Sequence, residues 1–179
     1  MKTDYDAINA RLKDNDIRKA VKEKNYVYIT NELLKLFNEN DDGKHGKIFE
    51  VVCGFFVKGY RGNIMVSAKG HIDIIFRGKK HECKINCGSF LADITKNDYM
   101  IYSYDGKEDC KNPANAHVIP MKEFLQGLED CGLFRHKKQS TNCGLTMAIQ
   151  SYNNSKRKTA LWTAFINKYP TLAEYKAGA

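Results

Sequence analysis

The stretch from His71 to Ile85 constrains this chain more than any other. Two runs of alternating character, His71 to Phe76 and Lys79 to Ile85, are separated by Arg77 and Gly78 alone, which suits a tight two-residue hairpin. A turn there sets Phe76 opposite Lys79, Ile74 opposite His81 and Asp73 opposite Glu82. Successive side chains alternate across a strand, so His71, Asp73, Ile75, Lys80, Glu82 and Lys84 share one face. Ile72, Ile74, Phe76, Cys83 and Ile85 share the other, which is expected to be core. On the first face two carboxylates lie across the ladder with β-carbons about 4.5 to 5.5 Å apart, an arrangement that destabilises unless a cation neutralises it. Lys84 supplies part of that charge. A divalent ion suits the remainder, because one or two carboxylates, retained waters and a phosphate are the ligands Mg²⁺ (or Mn²⁺) takes. Such an ion polarises a phosphate and acidifies a bound water, and a nearby lysine orients that water. The face therefore has the outline of a phosphodiester-hydrolysing site.

The flanking segments fit one α/β domain. From Tyr5 to Lys24, Ile8, Leu12, Ile17 and Val21 form the narrow stripe of a loosely attached helix, and Asn31 to Asn38 reads as a second helix ended by Asn40, Asp41, Asp42 and Gly43. Lys47 to Lys58 is apolar around most of its circumference, as a helix packed into the core should be. Its polar members, Lys47, Glu50 and Lys58, fall on one stripe with Gly54. Asn63 to Ser67 reads as a strand, Ser89 to Asn97 as a helix, Tyr99 to Tyr104 and His117 to Ile119 as strands, and Met121 to Leu128 and Thr159 to Tyr169 as helices. Trp162, Phe165, Ile166 and Tyr169 recur at helical spacing and belong in the core.

Lys and Arg outnumber Asp and Glu by 29 to 21, and from Cys131 to Ala173 there is no acidic residue at all. Arg135, Lys137, Lys138, Lys156, Arg157, Lys158 and Lys168 lie in that stretch. A one-sign field of this kind attracts polyanions, of which nucleic acid is the commonest. Asn153 and Asn154, beside Lys156 to Lys158, add amides able to meet phosphates and base edges, and Lys80 near the hairpin turn is placed to touch a phosphate. No apolar run is long enough to span a membrane, and Met1 to Asp16 lacks a signal core. The expectation is a cytoplasmic protein with no membrane partner. Six cysteines in such a chain are expected to stay reduced. The series Cys83, Cys87, Cys110, Cys131, His136 and Cys143 lacks the repeated short pair of a structural zinc site.

These residues together resemble the PD-(D/E)XK nuclease superfamily, the restriction-endonuclease-like fold. The resemblance rests on a helix bearing Glu50, then Gly70-His71-Ile72-Asp73, then Glu82-Cys83-Lys84, followed by a helix and a strand, and spans residues 44 to 104. Ile72 stands where the superfamily name has Pro, a position that bears no ligand atom. A second Glu-x-Lys, Glu174-Tyr175-Lys176, has no Asp-bearing strand beside it. The resemblance implies metal ligation by Asp73, Glu82 and the Cys83 carbonyl, with Lys84 orienting the water. It makes Glu50 an auxiliary ligand or water holder; helix periodicity equally allows a solvent-facing member of its stripe. His45 and His71 are not expected to be catalytic.

The implied architecture is a restriction-endonuclease-like core with a small mixed β-sheet flanked by helices. N-terminal helices (1–43) precede the core (44–120), and a basic helical C-terminal extension (121–179) comes after it. The implied function is a metal-dependent endonuclease acting on DNA, with a homodimer serving two-strand cleavage. The alternatives are an RNA endonuclease of the same fold and a non-catalytic nucleic-acid-binding protein.

Overall fold

The computed structural model of the chain describes residues 4–41, 43–58, 74–85, 88–91, 97–132, 136–138, 145–149 and 156–178. In chain order the elements are α1 (Asp4–Arg11), α2 (Asn15–Lys22), α3 (Tyr26–Leu34), α4 (Lys44–Lys58), β1 (Ile74–Phe76), β2 (Lys79–Ile85), β3 (Gly88–Leu91) and β4 (Tyr99–Ser103). Next come α5 (Gly106–Lys111), a 3-10 turn at Pro113–Asn115, β5 (His117–Pro120), α6 (Met121–Asp130), β6 (His136–Lys138), β7 (Leu145–Ile149), α7 (Lys156–Ile166) and α8 (Leu172–Lys176).

The hairpin forms in the register its alternation demands, with Ile74 opposite His81, Ile75 opposite Lys80 and Phe76 opposite Lys79. Arg77 and Gly78 both have positive φ, 52° and 74°, the combination whose twist matches the flanking strands. Gly78 adopts it without steric cost, whereas Arg77 carries a side chain in the left-handed region. Arg77 is held there by α8: its guanidinium donates to the main-chain oxygens of Tyr175, at 3.1 Å, and Lys176. It also lies 4.7 Å from the centre of the Phe76 ring. Cationic groups at a helix C-terminus are favourably placed, because the last carbonyls lack partners within the helix.

Beyond the hairpin, β4 runs parallel to β2 and β5 antiparallel to β4, giving a mixed sheet in the order β1-β2-β4-β5. One face of it, through Ile74, Cys83, Ile101 and Val118, joins a buried cluster with Ile48, Phe49, Val51, Val52 and Phe55 of α4 and with α1 to α3. The other, through Met100, Tyr102 and Ile119, packs on Phe124 and Leu128 of α6 and on Trp162 and Ile166 of α7. Each fully buried side chain of this size contributes about 1.5 to 3 kcal/mol. Trp162 Nε1 donates to the Tyr102 hydroxyl at 3.1 Å, so the indole N–H is not stranded. Gly127 lets α6 and α7 meet: a β-carbon there would lie 2.2 Å from the Phe165 ring. The fold is mixed α/β, a small four-stranded sheet flanked by helices. Among the described residues no helix is long and apolar enough to cross a membrane.

Several elements depart from the sequence expectations. The helix expected from Tyr5 to Lys24 is two, α1 and α2, broken around Asp14, which has extended backbone geometry and whose carboxylate accepts from the Arg11 guanidinium at 2.8 Å. Nor is it loosely attached, since Ile8, Leu12, Ile17 and Val21 are all buried. The second helix, α3, starts earlier than Asn31, behind an Asn25 side chain that accepts from the Tyr28 N–H at 3.1 Å. Gly88 to Leu91 is a strand and not the start of a helix, because it pairs with β7, which pairs in turn with β6. The 121–179 extension accordingly contains two strands as well as helices. The strand expected at 63–67 and residues 71–73 lie outside the described residues.

On the α4 side, His81 is wholly buried. The Lys79 carbonyl can only accept, so His81 Nδ1 donates to it at 3.0 Å and Nε2 accepts from the Tyr175 hydroxyl at 2.8 Å. His81 also stacks on Tyr99, with Tyr175 edge-on. Burial pushes the His81 imidazole below its ordinary value. A histidine kept neutral in the fold contributes stability above its unfolded pKa of about 6.5 that is lost as pH falls below it. The urea midpoint should therefore drop between about pH 7.5 and pH 5.5, and His81→Gln should shrink that drop. A drop of unchanged size in the variant would contradict the assignment.

Candidate functional site

The alternation of β2 that buries Cys83 against α4 turns Glu82 and Lys84 to the opposite face, beside Met100 and Tyr102 of the parallel neighbour β4. This face is open near the turn, where Ile75 is 49% exposed and Lys80 is exposed, and closes at Glu82, which is 8% exposed. Both faces of the hairpin's inner end are thus covered, which simple alternation does not anticipate. The Glu82 carboxylate is engaged from two sides. Its Oε1 lies 3.2 Å from Lys84 Nζ, and its Oε2 accepts from Asn97 Nδ2 at 3.4 Å. Removing a carboxylate from water costs several kcal/mol, and the lysine and the amide offset part of that cost. The Lys84 side chain keeps 28% of its surface exposed.

Asn97 precedes β4 and owes its position to backbone bonds. The Asp98 N–H donates to the Lys80 carbonyl at 2.8 Å, the Lys80 N–H donates to the Asp98 carboxylate at 2.9 Å, and the Met121 N–H donates to the Asp98 carbonyl at 2.9 Å. Asn97 is 9% exposed. Its Oδ1 is buried and has no hydrogen-bond partner among the described residues. Neither Asn97 nor His81 stood out in the sequence; the only signal for Asn97 is a polar residue directly ahead of the apolar strand that pairs with Glu82-Cys83-Lys84.

The remaining candidates are dispersed. Glu50 sits on α4, which covers the Cys83 face. It is 7% exposed, while Lys47, Gly54 and Lys58 along its stripe stay partly exposed; Glu50 is therefore a buried carboxylate, not a solvent-facing one. Cys83 is buried, and its carbonyl lies in the main chain between Glu82 and Lys84. Asp73, Arg135, Asn153 and Asn154, like His71, lie outside the described residues. Lys137 and Lys138 belong to β6, and Lys156, Arg157 and Lys158 open α7, whose first turn holds no acidic residue. His45 begins α4, where burial pushes its imidazole down.

Among the described residues the Glu82 carboxylate and, next to it, the Asn97 amide carry oxygen atoms of the kind Mg²⁺ or Mn²⁺ accepts. Among the described residues no group of three or more His, Cys, Asp or Glu side chains converges. Cys53, Cys83, Cys110 and Cys131 are buried free thiols, and burial pushes the Cys110 thiol well above its ordinary value. A cavity of about 240 Å³, lined in part by Asp105, Asp109, Asn115 and His117, is bordered by none of Glu82, Lys84 or Asn97.

No protein-family model, no curated protein and no solved structure matches this chain.

Because Lys84 neutralises a buried carboxylate, its loss should cost more than its own packing. Lys84→Met should lower unfolding free energy by about 1 to 3 kcal/mol, and adding Glu82→Gln should recover a good part of that. A loss in the double variant equal to the sum of the losses in Lys84→Met and Glu82→Gln alone, measured by urea denaturation, would show that the two charges are not coupled.

Proposed function

We propose that this chain is a metal-dependent endonuclease that hydrolyses phosphodiester bonds in DNA. The observation that carries the reading is the β1–β2 register. Continued by one pair beyond Ile74 and His81, it would set Asp73 opposite Glu82, on the face where Lys84 Nζ stands 3.2 Å from the Glu82 carboxylate. In this reading Asp73, Glu82 and the Cys83 carbonyl hold Mg²⁺ or Mn²⁺. When bound, the ion would polarise the scissile phosphate and lower the pKa of a coordinated water. Glu82, oriented by Lys84, would supply a carboxylate oxygen to the ion. Lys84, partly exposed, would then turn its ammonium to the attacking water or to the negative charge that develops on the phosphate oxygens. Glu50 sits on α4, against the opposite face of the sheet, and takes no part in this reading.

Substrate binding falls to the basic half of the chain. Cations in the first turn of a helix work against its dipole, by about 0.3 to 1 kcal/mol each, unless an anion lies nearby. Lys156, Arg157 and Lys158 occupy that position in α7 with no acidic residue to offset them, a placement that favours a phosphate-bearing partner. With Lys80, Lys137, Lys138 and the net charge of +8, they would give binding that weakens steeply with salt. Cutting both strands would require two such sites, as a homodimer provides.

The test is incubation of the protein with supercoiled plasmid, single-stranded DNA and a structured RNA, each with Mg²⁺ or EDTA, beside Lys84→Ala and Glu82→Ala. Plasmid cleavage that needs Mg²⁺ and vanishes in both variants, with binding retained, is expected. Cleavage of RNA alone would change the polymer. Salt-sensitive binding without cleavage of any substrate would replace the enzyme with a binding protein.

A further inference from the structure

We infer that Asn97 belongs to the cation site, orienting Glu82 through Nδ2 and contributing Oδ1 as a neutral oxygen ligand to the same divalent ion. This rests on the reading of Glu82 as a ligand and adds a residue that the Glu-x-Lys pattern does not contain. A side-chain amide offers two donors and an acceptor with two lone pairs. Leaving a buried one unmade costs about 1 to 3 kcal/mol, so folded proteins rarely do it without a ligand, an ion or a water to fill the place. Asn97 is more than nine-tenths buried, and its Oδ1 is left without a partner among the described residues. The same amide touches the Glu82 carboxylate, so the partnerless oxygen is carried by a group already in the site.

The position is fixed rather than incidental. Asp98 is tied to Lys80 by two hydrogen bonds and to Met121 by a third, which anchors the chain just ahead of β4, from where the Asn97 side chain reaches Glu82. At 3.4 Å the contact to Glu82 is longer than an ordinary N–H···O bond; it orients the carboxylate without committing the amide strongly. A neutral oxygen is also the donor this site can best accommodate. A further carboxylate would add negative charge beside Glu82, whereas an amide oxygen adds a hard ligand and no charge.

The experiment measures Mn²⁺ affinity in the absence of nucleic acid, by the electron paramagnetic resonance signal of the free ion, for the wild-type chain, Glu82→Gln, Asn97→Ala, Asn97→Ser and Asn97→Asp. Circular dichroism of each protein confirms its fold. Asn97→Ala should weaken binding by about tenfold or more, the scale seen when groups supporting a metal ligand are removed. Asn97→Asp, which keeps an oxygen donor but places a second negative charge beside Glu82 and loses the Nδ2 donor, should retain more affinity than Asn97→Ala. Wild-type affinity in Asn97→Ala while Glu82→Gln abolishes binding would overturn the inference and leave the site standing. If Asn97→Ala fails to fold, the same comparison is made with Asn97→Ser. Binding unaffected by Glu82→Gln, or absent from the wild-type chain, would overturn the site itself.

Discussion

The β1–β2 hairpin can pair in only one way, and the rest of the site depends on it. Positive φ at both Arg77 and Gly78 fixes a two-residue turn, and a slip of one residue would carry Cys83 out of the core and Glu82 into it. The turn is not left to its own propensity. Arg77, the residue for which that backbone is costly, is bonded to the last carbonyls of α8, while Tyr175 of the same helix bonds His81 and Lys176 donates to the Phe56 carbonyl of α4 at 2.6 Å. The C-terminal helix thus pins turn, strand and α4 together, so chain remote in sequence holds the register by which Glu82 and Lys84 face away from α4.

This register buries a charge that the fold tolerates only with help. β4 lies between β2 and β5 with its residues covered on both sides, so a carboxylate on β2 opposite Cys83 faces protein and not water. Lys84 and Asn97 stabilise that placement. A carboxylate with a lysine on one oxygen and an amide on the other is oriented before any ligand arrives, and preorganisation of that kind is what electrostatic catalysis requires. The partial exposure of Lys84 beside the burial of Glu82 gives the pair an inner end and an outer one.

Much of this was legible from local pattern. The hairpin and its register, the buried helix at 47–58, the strands at 99 and 117, and the apolar face of Trp162 and Ile166 all stem from periodicities contained within one element. The failures share a physical cause. Gly88 to Leu91 is a strand because Gly88 pairs with Ile149 across a long stretch of chain, and short apolar runs take their state from such distant partners. Glu50 lies on the most polar stripe of its helix and is buried nonetheless, because α1 to α3 close over α4, which helix periodicity cannot report. Asn97 gains its role from Asp98, whose bonds to Lys80 and Met121 exist only once the sheet has formed. The expected resemblance to the PD-(D/E)XK nucleases rests on the sequence spacing of Asp73, Glu82 and Lys84; the four-stranded sheet by itself is a scaffold on which many functions are possible.

The central claim is that the hairpin register joins Asp73 and Glu82 around one divalent cation. A crystal of the protein grown with Mn²⁺, with data collected for anomalous scattering, tests it directly. The account predicts an anomalous peak in bonding contact with both carboxylates, with Lys84 beside it. Asp73 turned to the opposite face from Glu82, or Glu82 bound to Lys84 with no metal peak beside it, would contradict the account.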